Sequence, residues 1–281
     1  MESRARSLAY VVLAPVLLVG VRSAAQNVDS IRASYILPLP AAVQVAKPSV
    51  WTSPGSSSGT PTAYGAEFGD IFFGGEFQAR TRYTSALPLR DRVDGSVYGG
   101  FGLGNPRSFL GIELVATSFT TIRHGFFRES SFSFKIHREL PGNFAIAYGW
   151  EDAIHSAGTD GGSSMYGVLT SDIRIREDYD APMSAVTLSA GVGNGRFQTE
   201  QAFYADKHGV NGFGSIGLHV LRPMSLIADW TGQDLMLGAS IVPFRRIPLI
   251  ITPAFADVTG SAGDGARFVM GAGFDFNLLQ R

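Results

Sequence analysis

The sequence predicts an all-β fold, an antiparallel up-and-down β-barrel of about twelve strands. Segments of about ten residues alternate apolar with small or polar side chains, the period of two that belongs to a strand facing two different environments. The connections between these segments alternate between long and short. The polar face is built from Gly, Ala, Ser and a few charges, where a water-covered sheet would carry more Lys and Glu.

Composition narrows the class. Of 281 residues 17% are charged, with 34 Gly, 20 Phe and no Cys; soluble domains average roughly 25% charge. Without Cys there are no disulfides, thiolate zinc sites, cysteine nucleophiles or lipobox anchor. A net charge of −1 gives no basis for a nucleic-acid partner. Residues 1–25 have the three parts of an export signal: Arg4 and Arg6, the mostly apolar run Leu8 to Val21, and Ser23-Ala24-Ala25 before Gln26. That run is shorter than the ~20 residues of a spanning helix and contains Pro15. No later segment stays apolar for ~18 residues, which excludes a helical membrane protein.

Residues 26–62 hold Pro38, Pro40, Pro48, Pro54 and Pro61 and the tract SPGSSSGTP, the composition of a flexible tether. Part of Ile31 to Val45 is also able to dock on or inside the domain that follows. Residues 63–281 form the barrel. Strands are expected near Asp70–Ala79, Asp94–Gly102, Phe109–Ser118, Ser130–His137, Asn143–Glu151 and Ser164–Thr170. Six more are expected near Ser184–Gly193, Asn211–Val220, Met224–Thr231, Asp234–Val242, Ile247–Ala256 and Ala266–Phe276. The faces separate cleanly. Leu110, Ile112, Leu114 and Ala116 oppose Gly111, Glu113, Val115 and Thr117; Phe144, Ile146, Tyr148 and Trp150 oppose Asn143, Ala145, Ala147, Gly149 and Glu151. No amphipathic helix is expected after residue 62.

An even strand number returns the chain to its starting side, and one rim should then carry the long loops. Arg80–Val93, Phe119–Glu129, Asp152–Ser163, Asn194–Val210 and Asp257–Gly265 are long, whereas Leu103–Arg107, Arg138–Gly142, Leu221–Pro223 and Pro243–Arg246 are short. Gly232-Gln233 and Ser171–Met183 break the rule. A soluble β-sandwich has no reason to alternate its loops, so it is the alternative architecture.

Export signal, aromatic-tipped alternating strands and loop alternation together resemble the bacterial outer-membrane β-barrel class, over roughly Asp70 to Phe276. The resemblance implies a transmembrane barrel in the outer membrane with lipid as its surrounding partner. Barrels of the class often end in an aromatic residue; here Phe276 is followed by Asn277 to Arg281. More narrowly, Ala228-Asp229-Trp230-Thr231-Gly232-Gln233-Asp234 followed by LMLGASIVPF is similar to YjbH-type outer-membrane proteins. That likeness implies a place beside polysaccharide export.

The charges expected on the lumen face are Glu76, Glu113, Lys135, Glu151, Asp229, Arg267 and Asp275, which could set the selectivity of a narrow pore or pair and close it. A hydrolase would need a Ser activated by a His. His155 adjoins Ser156, His137 shares a face with Ser131 and Ser133, and His219 with Ser215, while His124 and His208 have no such neighbour; no GxSxG elbow occurs. Asp160-Gly161-Gly162 and Asp257 with Gly263-Asp264-Gly265 look like fragments of calcium loops, but lack the spacing of such loops. Gly191-Val192-Gly193-Asn194-Gly195 echoes a phosphate loop without the Lys or the helix. No metal or cofactor is expected. The expected function is a narrow channel or a structural or export-accessory barrel, for a small solute or polysaccharide, with loops Asp152–Ser163 and Asn194–Val210 making outside contacts. The alternatives are an outer-membrane lipid-modifying hydrolase and a secreted soluble β-sandwich binding module.

Overall fold

The computed structural model describes residues 53–88, 92–119, 129–156, 163–205 and 209–279. The expected export signal, residues 26–52, His124, His208 and Asp160-Gly161-Gly162 lie outside them. The strands are β1 (Asp70–Gln78), β2 (Asp94–Gly104), β3 (Gly111–Phe119), β4 (Glu129–Leu140), β5 (Phe144–His155), β6 (Ser164–Arg174), β7 (Ala185–Gly193), β8 (Asn211–Leu221), β9 (Met224–Trp230), β10 (Leu235–Ile241), β11 (Leu249–Ala256) and β12 (Arg267–Asn277). Each pairs antiparallel with its sequence neighbour, and β1 pairs with β12, so the sheet closes and has no edge. That closure rules out the two-sheet sandwich.

The period of two reads directly as inside and outside. On β5, exposed Phe144, Ile146 and Tyr148 alternate with buried Ala145, Ala147 and Gly149. Every one of the twelve strands presents at least one exposed large apolar side chain, among them Ile112 on β3, Leu188 on β7, Ile216 on β8 and Leu237 on β10. Exposed aromatics gather near both rims, with Phe132, Trp230 and Phe255 toward the long loops and Phe101, Phe144 and Phe276 toward the short turns. Buried Ser, Thr, Asp and His face inward.

Five inward glycines have a cross-strand explanation. Phe72, Tyr98, His137, Tyr166 and Phe213 point inward, directly opposite Gly100, Gly74, Gly111, Gly149 and Gly191. In each pair a Cβ on the glycine would lie within 3 Å of the partner's ring. Each ring thus lies over a bare stretch of neighbouring backbone, which lets large side chains fill a curved interior.

Both exceptions to the loop rule stand. The β9–β10 turn is tight because Gly232 takes φ +96° and a Cβ there would collide with the Phe197 carbonyl. The β7–β8 loop contains a 3-10 turn, Gly195–Phe197, and a five-residue α-helix, Glu200–Tyr204, where only irregular chain was expected. No described helix is long and apolar enough to cross a membrane.

Candidate functional site in the lumen

The tract SPGSSSGTP, which reads as a tether, instead runs inside the barrel. From residue 69 back to residue 53 the chain enters the lumen at the short-turn rim, rises to the long-loop end and descends again. Phe68 donates its N–H to the Gly104 carbonyl (2.8 Å). Ala66 donates to Glu113 (2.9 Å), and its carbonyl meets His137 Nε2 at 3.1 Å. Ala63 donates to Thr170 Oγ1 (2.8 Å), and at the foot of the descending arm Gly55 donates to Ser240 Oγ (2.7 Å). Strand side chains supply the hydrogen bonds that an irregular buried backbone cannot make with itself. Tyr64 anchors an apolar cluster inside the lumen with Ala145, Ala147, Tyr166, Phe197 and Phe213. Two inward glycines leave room for the segment: a Cβ at Gly217 would lie 2.7 Å from the Ser56 carbonyl oxygen, and one at Gly102 would collide with Ala66 and Glu67.

The tip is the most densely bonded part. Asp229 Oδ2, on β9, accepts from Ser58 N (2.7 Å), Gly59 N (2.7 Å), Ser58 Oγ (2.9 Å) and Ser57 Oγ (3.1 Å). Consecutive N–H groups converging on one carboxylate form an anion-holding nest, here filled by the protein's own strand. From the β7–β8 loop, Arg196 donates to the Gly59 carbonyl (3.0 Å), pairs with Glu151 and lies 4.3 Å over the Phe197 ring.

Long-loop residues knit together above the tip. Asp234 takes Arg267 (2.9 Å) and Arg82 (3.1 Å), and its other oxygen accepts from Thr231 (2.8 Å). Burial opposes the Asp234 charge, but the Thr231 hydroxyl and the two guanidiniums outweigh it and hold the carboxyl below its usual range. Arg80 pairs with Asp264 and also donates to the carbonyls of Gly265 and Ala266, both at 2.7 Å. Tyr83 reaches Glu200 in the short helix (2.6 Å).

Beside the segment a cavity of about 600 Å³ remains, walled chiefly by β1–β5 and β10–β12. Glu76, Glu113, Lys135, Glu151 and Arg267 line it; Asp229 lies at the segment tip, and Asp275 is fully buried on the inner face of β12. Lys135 pairs with Glu113 (3.1 Å). Arg82 and Arg196, loop residues with no strand period to mark them, and Asp234, at the β9–β10 turn, are contributors that sequence reasoning missed.

Among the described residues, the serines and histidines singled out in the sequence do not meet. His155 Nδ1 lies 2.9 Å from the Asp152 carbonyl, whereas Ser156 Oγ accepts from Ser130 N (3.0 Å). Ser131 and Ser133 bond to Asp152 while His137 turns to Ala66, and the His219 ring lies 4.4 Å from that of Tyr179. Asp257 caps its own loop through Ser261 N (2.7 Å) and Ala262 N (3.1 Å). Gly191 underlies the Phe213 ring, and no metal-holding cluster of three or more His, Asp or Glu occurs among the described residues.

No protein-family model matches this chain, and comparison with curated proteins finds no match. The lumen has to be read from its own chemistry.

Proposed function

We propose that the protein is an outer-membrane β-barrel acting as a narrow channel for small solutes, obstructed by its own residues 53–68. One observation carries the reading. The outer surface of the twelve strands is largely apolar while the strand charges, Arg138 near the short-turn rim excepted, turn inward, the inverse of a soluble domain and the arrangement a bilayer demands. Nine of the twelve strands run 9 to 12 residues and β9–β11 run 7 or 8, close to the ~9–11 that cross a bilayer obliquely. The export signal expected in residues 1–25 fits the same location. Twelve strands give a lumen between the filled eight-stranded barrel and the open porin of ~16, which leaves room for one chain segment and a cavity.

A polysaccharide-export role is what the YjbH-type likeness implies. The acids within that stretch, Asp229 and Asp234, are engaged internally with the lumen segment and the arginines, which favours the channel. Fractionation of expressing cells tests the location, with boiled and unboiled samples compared by gel electrophoresis. An outer-membrane fraction with a heat-dependent mobility shift is expected; a soluble protein without a shift would end the reading.

A further inference from the structure

We infer that the lumen cavity binds a small organic cation, an ammonium or guanidinium compound, with Glu76 as its counter-ion and the Tyr98 ring beside it. This deepens the channel reading and rests on it for the lumen being the functional space.

The basic groups on the cavity wall are committed. Lys135 is paired with Glu113 at 3.1 Å, Arg196 with Glu151, and Arg267 with Asp234 at 2.9 Å. Glu76 is different. It projects from the inner face of β1, is open to the cavity, and makes no hydrogen bond or ion pair within 4 Å of a described residue. The cation whose field reaches it is Arg196, whose guanidinium is already shared between Glu151 and the Gly59 carbonyl. Asp152, whose carboxylate accepts from the Ser131 hydroxyl, adds negative charge on the long-loop side of the same wall. Once the internal pairs cancel, the space is left anionic.

The aromatic component comes from register. Tyr98 stands opposite Gly74, two residues from Glu76 on the same face, and its ring lies across the bare Gly74 backbone, with no hydrogen bond from its hydroxyl to a described residue. A carboxylate with a neighbouring aromatic face is the combination that holds organic cations. The absence of a three-residue ligand cluster among the described residues argues against a metal ion. A volume of about 600 Å³ falls within the ~300–1,000 Å³ of small-molecule sites.

The test is calorimetric titration of the detergent-solubilised full-length protein with 1,4-diaminobutane, succinate and 1,4-butanediol. Binding in solution needs no conduction, so a closed channel and an absent site give different results. The diamine should bind while the dianion and the neutral diol do not. Glu76→Gln, checked for its heat-dependent mobility shift, should weaken diamine affinity about tenfold or more, the scale of one charge-assisted contact. Tyr98→Leu should weaken it less. Equal binding of succinate, no diamine binding, or unchanged affinity in folded Glu76→Gln would overturn the inference.

Discussion

Ser58 donates both its backbone N–H and its hydroxyl to one oxygen of Asp229, at 2.7 and 2.9 Å. Residues more than 170 positions apart in sequence are thereby joined inside the barrel, and the lumen segment is fixed at its highest point. Asp229→Ala removes the acceptor of four hydrogen bonds and leaves two backbone donors unsatisfied. The expected loss is about 2–4 kcal/mol of segment docking, read as faster amide exchange at residues 57–60 with the strands still protected. Unchanged exchange would show that the apolar contacts of Tyr64 hold the segment alone.

The position of the descending arm can be trapped. The chain has no native Cys, and the Ser56 Cβ lies 2.8 Å from where a Cβ on Gly217 would be. A disulfide holds these atoms ~3.8 Å apart, so a small backbone shift suffices. Ser56→Cys with Gly217→Cys should form an internal cross-link in the folded barrel, visible as a reductant-sensitive mobility change. Ser56→Cys paired with Ile216→Cys, which points outward, should not.

The inside–outside assignment predicts opposite fates for neighbouring substitutions. Ile216 is 54% exposed on the outer face and Ser215 is 5% exposed within. Ile216→Arg should destabilise the lipid-embedded barrel by about 2–4 kcal/mol, measured by denaturant unfolding from lipid vesicles. Ile216→Phe should be near neutral. In a water-soluble protein Ile216→Arg would be harmless.

Acid should loosen the long-loop rim before the strands. Burial opposes the charge of Asp264, but the Ser85 hydroxyl and N–H, the Tyr83 N–H and Arg80 outweigh it and push the carboxyl down to about 2. An unfolded Asp titrates near ~3.9. A depressed folded value gives stabilisation that is complete above the unfolded pKa and lost as pH falls from ~4 toward 2; Asp234 acts in the same sense. The thermal midpoint of Asp264→Asn should therefore fall below that of the parent at pH 6 and converge with it near pH 2. A gap that persists at pH 2 would assign the effect to something other than this charge.

The strands were legible because one face meets apolar surroundings and the other a polar interior, so each segment carries its own period. All twelve lie within a few residues of where the alternation puts them. The lumen segment was not legible for a matching reason. SPGSSSGTP has no local period, and the partners of residues 53–68, among them Asp229, Thr170, Glu113 and Ser240, are spread over four strands. The same Ser and Gly that suggest a tether supply the hydroxyls and close backbone approach that the lumen requires. Inward charges such as Glu76 and Arg267 could be named from alternation, but their partners could not. Asp234 and Arg267 meet only once β10, β11 and β12 have paired and set the β9–β10 turn beside the start of β12.

Single-barrel conductance in planar bilayers, for the full-length protein and for Asp229→Ala, tests the obstructed channel most directly. The parent should show small or infrequent steps, and Asp229→Ala steps several-fold larger or more frequent, with both proteins showing the same heat-dependent mobility shift. Equal conductance in two equally folded barrels would contradict the claim that residues 53–68 obstruct the lumen.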